Sequence, residues 1–265
     1  MRILLATLVM VTGTAHAGAY LEMSHVDLTR PKDRPTISKF WAQAGRARAE
    51  TSGDRGQYTI FRDEQMFIVE PKQRSYRVMD KATMEAMGRR MADMRRQMEA
   101  RMAKMPPEQR AAMQRMMNGA VPGTVAAVAK RQVQATSRTE AAGGRSCRVW
   151  EIYESGAKDE ELCVVPPGSL PGGDEFFAAM KNMASMTERM TKAMGGQAGR
   201  GEGNYFQELK RINGIPVLTR DFQNGRPTHE TRMNVVRRES VPDAAFEVPA
   251  GFKRLGMGPG TGGED

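Results

Sequence analysis

Seven methionines, Met84, Met87, Met91, Met94, Met98, Met102 and Met105, recur at intervals of three or four residues. Side chains so spaced share one face of an α-helix. A second set, Phe176, Met180, Met183, Met190 and Met194, keeps the same rhythm, with Thr187 in the missing step and Phe177 and Met186 beside it. Such lines of thioethers suit three kinds of binding. Methionine is flexible and polarizable, so a Met-lined surface accepts acyl chains or apolar segments of another protein. Thioethers are also soft donors for copper(I), although copper draws its ligands into a tight cluster, and here they lie one per turn with no His near. A Met stripe with Arg89, Arg90, Arg95, Arg96 and Arg101 on the opposite face of the helix can also dock on an anionic membrane surface. Beside these stands plain packing, because any surface helix needs an apolar stripe to lay on a sheet or a companion helix. The candidate ligand-binding residues are therefore Met84, Met87, Met91, Met94, Met98, Met102, Met180, Met183 and Met190. No metal ligand and no cofactor are expected.

Cys147 and Cys163 are the only two cysteines, and they lie at equal distances on either side of Ser155. If the chain turns at Ser155, the two side chains fall across from each other on one face, close enough to bridge. A redox pair would favour Cys-x-x-Cys at a helix start, so a structural disulfide worth about 2–4 kcal/mol is expected. The sequence contains no Gly-x-Ser-x-Gly elbow, His-Glu-x-x-His, P-loop or calcium-loop pattern. Gly256-Met257-Gly258-Pro259-Gly260 has no helix after it, and His229-Glu230 on a strand would point to opposite faces. His25 and His229 are expected at the surface or rim, no catalytic residue is predicted, and the reading is of a protein that is not an enzyme.

The elements that would position these residues alternate in texture. From Tyr20 to Val78 the pattern is strand-like, with Tyr20 to Leu28, Phe40 to Glu50 as the next strand, a hairpin of Tyr58–Phe61 and Met66–Val69, and then Ser75–Met79. Asp80 is a good N-cap for a Met- and Arg-rich helix to Lys104, and Pro106-Pro107 opens a second helix to about Asn118. Strands return at Val133–Thr139, Ser146–Glu154 and Asp159–Val165. Asp174 caps a helix over 175–194, and a Gly-rich stretch to Gly203 follows. Three strands are predicted last, at Phe206–Ile212, Pro216–Gln223 and His229–Arg237, with Asn224-Gly225 a hairpin turn. No internal repeat is present.

The first 17 residues join a basic start at Arg2, an apolar run from Ile3 to Val11 and an Ala15-His16-Ala17 end, the three parts of a secretory leader. Cleavage after Ala17 is expected to leave a periplasmic or secreted chain, consistent with a disulfide. Removing Arg2 takes the formal charge from +9 to +8, 39 basic groups against 31 acidic. In that compartment nucleic acid is not an expected partner, whereas lipid or lipoprotein, an anionic membrane surface and an envelope protein are. The domain plan is a leader over 1–17, one domain over 18–255 with helical inserts near 81–118 and 174–195, and a Gly-rich tail over 256–265.

Certain stretches resemble an uncharacterised family of bacterial secreted proteins grouped with the LolA-like lipoprotein-localisation half-barrel. They are Tyr58-Thr59-Ile60-Phe61-Arg62-Asp63, Met66 through Tyr76, Asn213-Gly214-Ile215-Pro216, and Val241-Pro242-Asp243-Ala244-Ala245-Phe246-Glu247-Val248-Pro249-Ala250-Gly251-Phe252. The last is similar to that family's ending, a Phe-x-x-Pro-x-Gly segment that closes the domain. The resemblance implies an α+β domain, a curved antiparallel sheet of nine to eleven strands with Met-rich helices packed on its concave face. It also implies an apolar cavity that takes acyl chains in the lipoprotein carriers. The long Met/Arg-rich insert departs from the carriers and could plug that cavity or line it. The leading function is then non-enzymatic binding of a hydrophobic ligand, lipid, acyl chain or lipoprotein, in the cell envelope. The alternatives are a protein-interaction or structural envelope factor with a Met-rich core, and periplasmic copper(I) binding.

Overall fold

The computed structural model describes residues 18–53, 56–106, 108–109, 131–193 and 208–256. The expected leader, the helix opening at Pro106-Pro107 (beyond Gln109), Met194, the Gly-rich stretch to Gly203 and the tail from Met257 lie outside these residues. So does the side chain of Met190.

The first six strands are β1 (Gly18–Asp27), β2 (Thr36–Gln43), β3 (Arg46–Thr51), β4 (Tyr58–Arg62), β5 (Gln65–Glu70) and β6 (Ser75–Met79). Helix α1 (Lys81–Ala103) follows, then β7 (Arg131–Ala142), β8 (Arg145–Glu154) and β9 (Ala157–Val165). Helix α2 (Gly173–Ala193) separates these from β10 (Ile215–Gln223), β11 (Arg226–Glu239) and β12 (Lys253–Leu255). The strands form one curved, unclosed sheet in the order β12-β6-β5-β4-β3-β2-β1-β11-β10-β9-β8-β7. Neighbours run antiparallel except β12, which lies parallel to β6.

Hairpin chemistry explains most of the meander. Ala44-Gly45, Asp63-Glu64, Gly143-Gly144, Ser155-Gly156 and Asn224-Gly225 each place two successive residues at positive φ. That pair makes the type I′ turn, whose twist matches the strands it joins. The turn at Ala44-Gly45 splits the single strand expected over Phe40–Glu50 into β2 and β3. Gly45, at φ 74°, also needs its missing side chain, because a Cβ there would stand 2.7 Å from the Asn182 amide of α2.

A second correction concerns the strand expected over Phe206–Ile212, whose described part, 208–212, is helical. Leu209 and Ile212 are both buried there, and apolar residues three apart share a helical face where a strand would need a spacing of two. With twelve strands among the described residues, the sheet exceeds the expected nine to eleven.

Alternation along the strands sends Leu21, Phe40 and Phe61 to one face and Tyr20, Trp41 and Ile60 to the other. The first face carries the larger core and is covered by α2, which lies against β1, β2 and β3. On the second face Tyr58, Ile60, Phe67, Val69 and Val78 are covered by the segment running from Val241 to Phe252, with Phe246 fully buried. Arg46 stacks 4.6 Å over the Phe246 ring, and the amide of Val241 donates to Gln43 Oε1 at 3.1 Å. The chain ending singled out in the sequence thus closes the domain.

Candidate functional site

The two methionine stripes meet different fates. On α2, Phe176, Phe177, Ala179, Met180, Ala184 and Met186 are all buried, and Met183 packs against the same core. Glu175 accepts from the Ala44 amide at 3.0 Å, Asn182 donates to the Gly45 carbonyl at 3.1 Å, and the Phe176 ring meets Phe40 edge-on. The helix's inner face is thereby pinned to the β2–β3 turn at two points. Each buried Phe or Met side chain contributes about 2 kcal/mol. Met180, expected to line a binding surface, is core.

Helix α1 begins as predicted, with the Asp80 carboxylate accepting from the Thr83 amide at 2.8 Å. Its first turn buries Met84, and Met87 is half-buried, where the helix touches β6 and α2. Beyond that the stripe leaves the core. Met91 and Met98 are 39% exposed and Met94 is 67% exposed, while Met102 and Met105 are partly covered. A helix that met the sheet along its whole length would bury one side chain per turn. Among the described residues packing therefore accounts for Met84, and it does not account for Met91, Met94 and Met98.

The charges of α1 are sorted around this stripe, and of the five arginines expected opposite it only Arg89 and Arg96 lie there. One turn away from Met91, Met94 and Met98, at three or four residues, stand Arg90, Arg95, Arg101, Gln97, Gly88 and other methionines, and no acidic residue. Glu85 and Asp93 lie round the helix, where Glu85 pairs with Lys81 and Arg89, and Asp93 with Arg96.

Cys147 and Cys163 are bonded, with their Cα atoms 5.3 Å apart. Their register is not the one expected. A bulge between Ile152 and Tyr153 puts Val149 opposite Cys163, so the bridge joins the strands on a diagonal. The bulge stands beside the turn at Ser155-Gly156, and equal spacing about Ser155 alone does not reveal it.

Titratable groups gather at two places on β7–β11. Glu161, buried on β9, accepts from Arg138 and Lys158 at 2.5 Å and from Arg220 at 3.0 Å. Burial works to raise its pKa, but the hydrogen bonds from Lys158 and Arg138 win and hold it at about 2. Its neighbour Glu160 points to the opposite face and meets Arg131, which also holds Asp159 and the buried Glu208. There burial prevails and pushes Glu160 up to about 7, against the attraction of Arg131. These ion pairs tie the outer strands and the 208–212 turn together, and account for the charges structurally. His25, expected at the surface or rim, is half-buried between Ser38 Oγ and Thr231 Oγ1, each 2.9 Å away. Burial lowers its pKa. A serine–histidine contact has the makings of a nucleophile and base, but the other ring nitrogen faces a threonine hydroxyl where a triad would place a carboxylate. His229 is exposed, 4.0 Å from Asp221. Among the described residues no three His, Cys, Asp or Glu side chains gather to hold a metal ion. A shallow open depression beside β1–β3 is lined by Glu22, Ile37, Lys39, Glu50, Thr51 and Ser52. No described helix is long and apolar enough to cross a membrane.

No protein-family profile matches the chain, and no curated protein matches it. Among solved structures it is similar to an uncharacterized conserved protein from Thermus thermophilus, at 6% identity and a TM-score of 0.43, with 91% of each chain covered. It is similar to a chain of the Pseudomonas aeruginosa MucA/MucB complex at 9% identity and a TM-score of 0.37. That match covers 86% of this chain and 55% of the other, so this chain spans little more than half its length. A LolA superfamily protein from Nitrosomonas europaea is similar at 7% identity and a TM-score of 0.24, over 88% of this chain and 90% of that one. No residue role is transferred at these identities.

Proposed function

We propose that this chain is a non-enzymatic binding protein of the cell envelope, which takes a hydrophobic partner, a lipid, acyl chain or lipoprotein, along the methionines of α1. The observation that supports this is the line of Met91, Met94 and Met98, exposed to water on a helix whose first turn is anchored in the core. Thioethers in such a line fit partners of irregular shape, since each side chain has three rotatable bonds and a polarizable sulfur. An oxidising compartment is supported by the Cys147–Cys163 bond.

The test is to purify the chain made with its leader, without detergent, and to analyse an organic extract by mass spectrometry. A lipid or fatty acid recovered at about one per chain, and lost when Met91, Met94 and Met98 are replaced by Gln, is the expected result. A well-folded protein that yields a clean extract and fails to bind a fluorescent long-chain fatty acid would overturn the proposal. The second reading, a protein-interaction or structural envelope factor with a Met-rich core, draws its support from Met180 and Met186, buried in α2.

A further inference from the structure

We infer that α1 is a docking element for a bilayer surface rich in anionic lipid headgroups. The inference rests on the reading of α1 as the binding surface and names the partner. A helix that lies in a membrane interface needs an apolar stripe to enter the acyl boundary, cations flanking that stripe at headgroup level, and its acids turned away. Helix α1 meets the first two, and of its three acids Glu85 and Asp93 are paired on the far side while Glu99, one turn from Arg95, is the one nearer the stripe. Its 23 residues extend about 35 Å, and its exposed stripe is Met91, Met94 and Met98.

The arginines divide into two sets by partner. Arg90 and Arg95 stand one turn from Met94 and Met91, and Arg101 one turn from Met98. None of these three forms an ion pair among the described residues. Arg89 and Arg96, farther round the helix, are already paired with Glu85 and Asp93. Free positive charge is thus concentrated beside the apolar stripe and neutralised away from it. A soluble hydrophobic ligand would use the methionines but would have no need of this sorting, whereas a sheet of phosphate headgroups uses both. With six basic and three acidic residues, α1 carries a net +3, so long-range attraction has the same sign as the local contacts.

Sedimentation of the purified chain with vesicles tests this, comparing phosphatidylglycerol mixed into phosphatidylcholine with phosphatidylcholine alone. The wild type is expected to partition onto the anionic vesicles and to be released by salt. Replacing Arg90, Arg95 and Arg101 by Gln should weaken partitioning about fivefold per residue and about a hundredfold together. Replacing Arg89 and Arg96 by Gln should change it less than about threefold, because those cations face away and the Debye length is about 8 Å. All five positions are exposed, and an unchanged far-ultraviolet circular dichroism spectrum verifies the fold of each variant. Equal loss from the two sets of arginines, or equal binding to both kinds of vesicle, would overturn the inference. Binding of a fluorescent long-chain fatty acid without binding of either vesicle would overturn it while sparing the hydrophobic-partner reading. Failure with both probes would sink the two together.

Discussion

Glu160 and Glu161 are adjacent on β9 and sit in opposite electrostatic situations. Strand alternation gives each its own face. On one, three cations converge on Glu161. On the other, Glu160 shares Arg131 with Asp159 and Glu208, and its Oε2 finds no hydrogen-bond partner among the described residues. A carboxyl raised to about 7 in the folded chain titrates near 4.3 once unfolded. Between those values the folded state holds a proton that the unfolded state has lost, so stability falls as pH rises through that window. Asp221, also raised by burial, adds in the same direction, while His25, lowered by burial, works against both below about pH 6.5. Replacing Glu160 by Gln should remove most of this slope, leaving the variant more stable than wild type at pH 8 relative to pH 5. Urea midpoints at the two pH values measure it, and an unchanged slope would show that Glu160 is not the group responsible. None of this was legible in sequence, where Asp and Glu are plentiful and nothing pairs them; the pairing comes from register across β7, β9 and β10.

At the scale of elements, α1 and α2 have near-identical sequence rhythms and different environments. Periodicity was enough to predict both helices and the stripe on each, because an apolar residue every third or fourth position has one face in common. It does not say what that face meets. Helix α2 is held by Asn182 and Glu175 at the β2–β3 turn and laid across β1–β3, while α1 buries one methionine among the described residues, Met84 in its first turn. Mutation should separate the two. Met180→Ala is expected to cost about 3 kcal/mol from the transfer and cavity terms, and Met94→Gln to change stability by less than about 0.5 kcal/mol. Chemical denaturation reads both values. Comparable losses at the two positions would mean that α1 is packed as α2 is, and would undercut the binding role given to it.

For the whole molecule, the decisive feature is that both faces of the sheet must be covered. One is covered by α2, the other by the segment from Val241 to Phe252, which reaches back across β3–β6 before β12 pairs with β6. Phe246→Ala is expected to cost about 4 kcal/mol, since the ring is wholly buried beneath Arg46. Truncation after Glu239 should bare Tyr58, Ile60, Phe67, Val69 and Val78 together and yield a chain that binds a hydrophobic dye and aggregates. A truncated chain that stays monomeric with the wild-type unfolding midpoint would show that the ending is an appendage.

Much of this architecture is local in origin. Period-two and period-three-to-four patterns, the Asp80 cap, the Asn224-Gly225 turn and the pairing of two cysteines are decided by neighbours within a few residues or by the absence of any other partner. Sequence alone therefore determined the alternation of strands and helices, the placing of both Met stripes and the bond between Cys147 and Cys163. Tertiary structure decided what depends on distant contacts. It split Phe40–Glu50 at Ala44-Gly45, where two successive residues take positive φ and Asn182 of α2 donates to the Gly45 carbonyl. It turned 208–212 into helix, because Leu209 and Ile212 share one buried face and Glu208 meets Arg131. It also chose which methionines are core and which face water, since burial is a property of the surface a helix lands on, and α1 leaves that surface after its first turns.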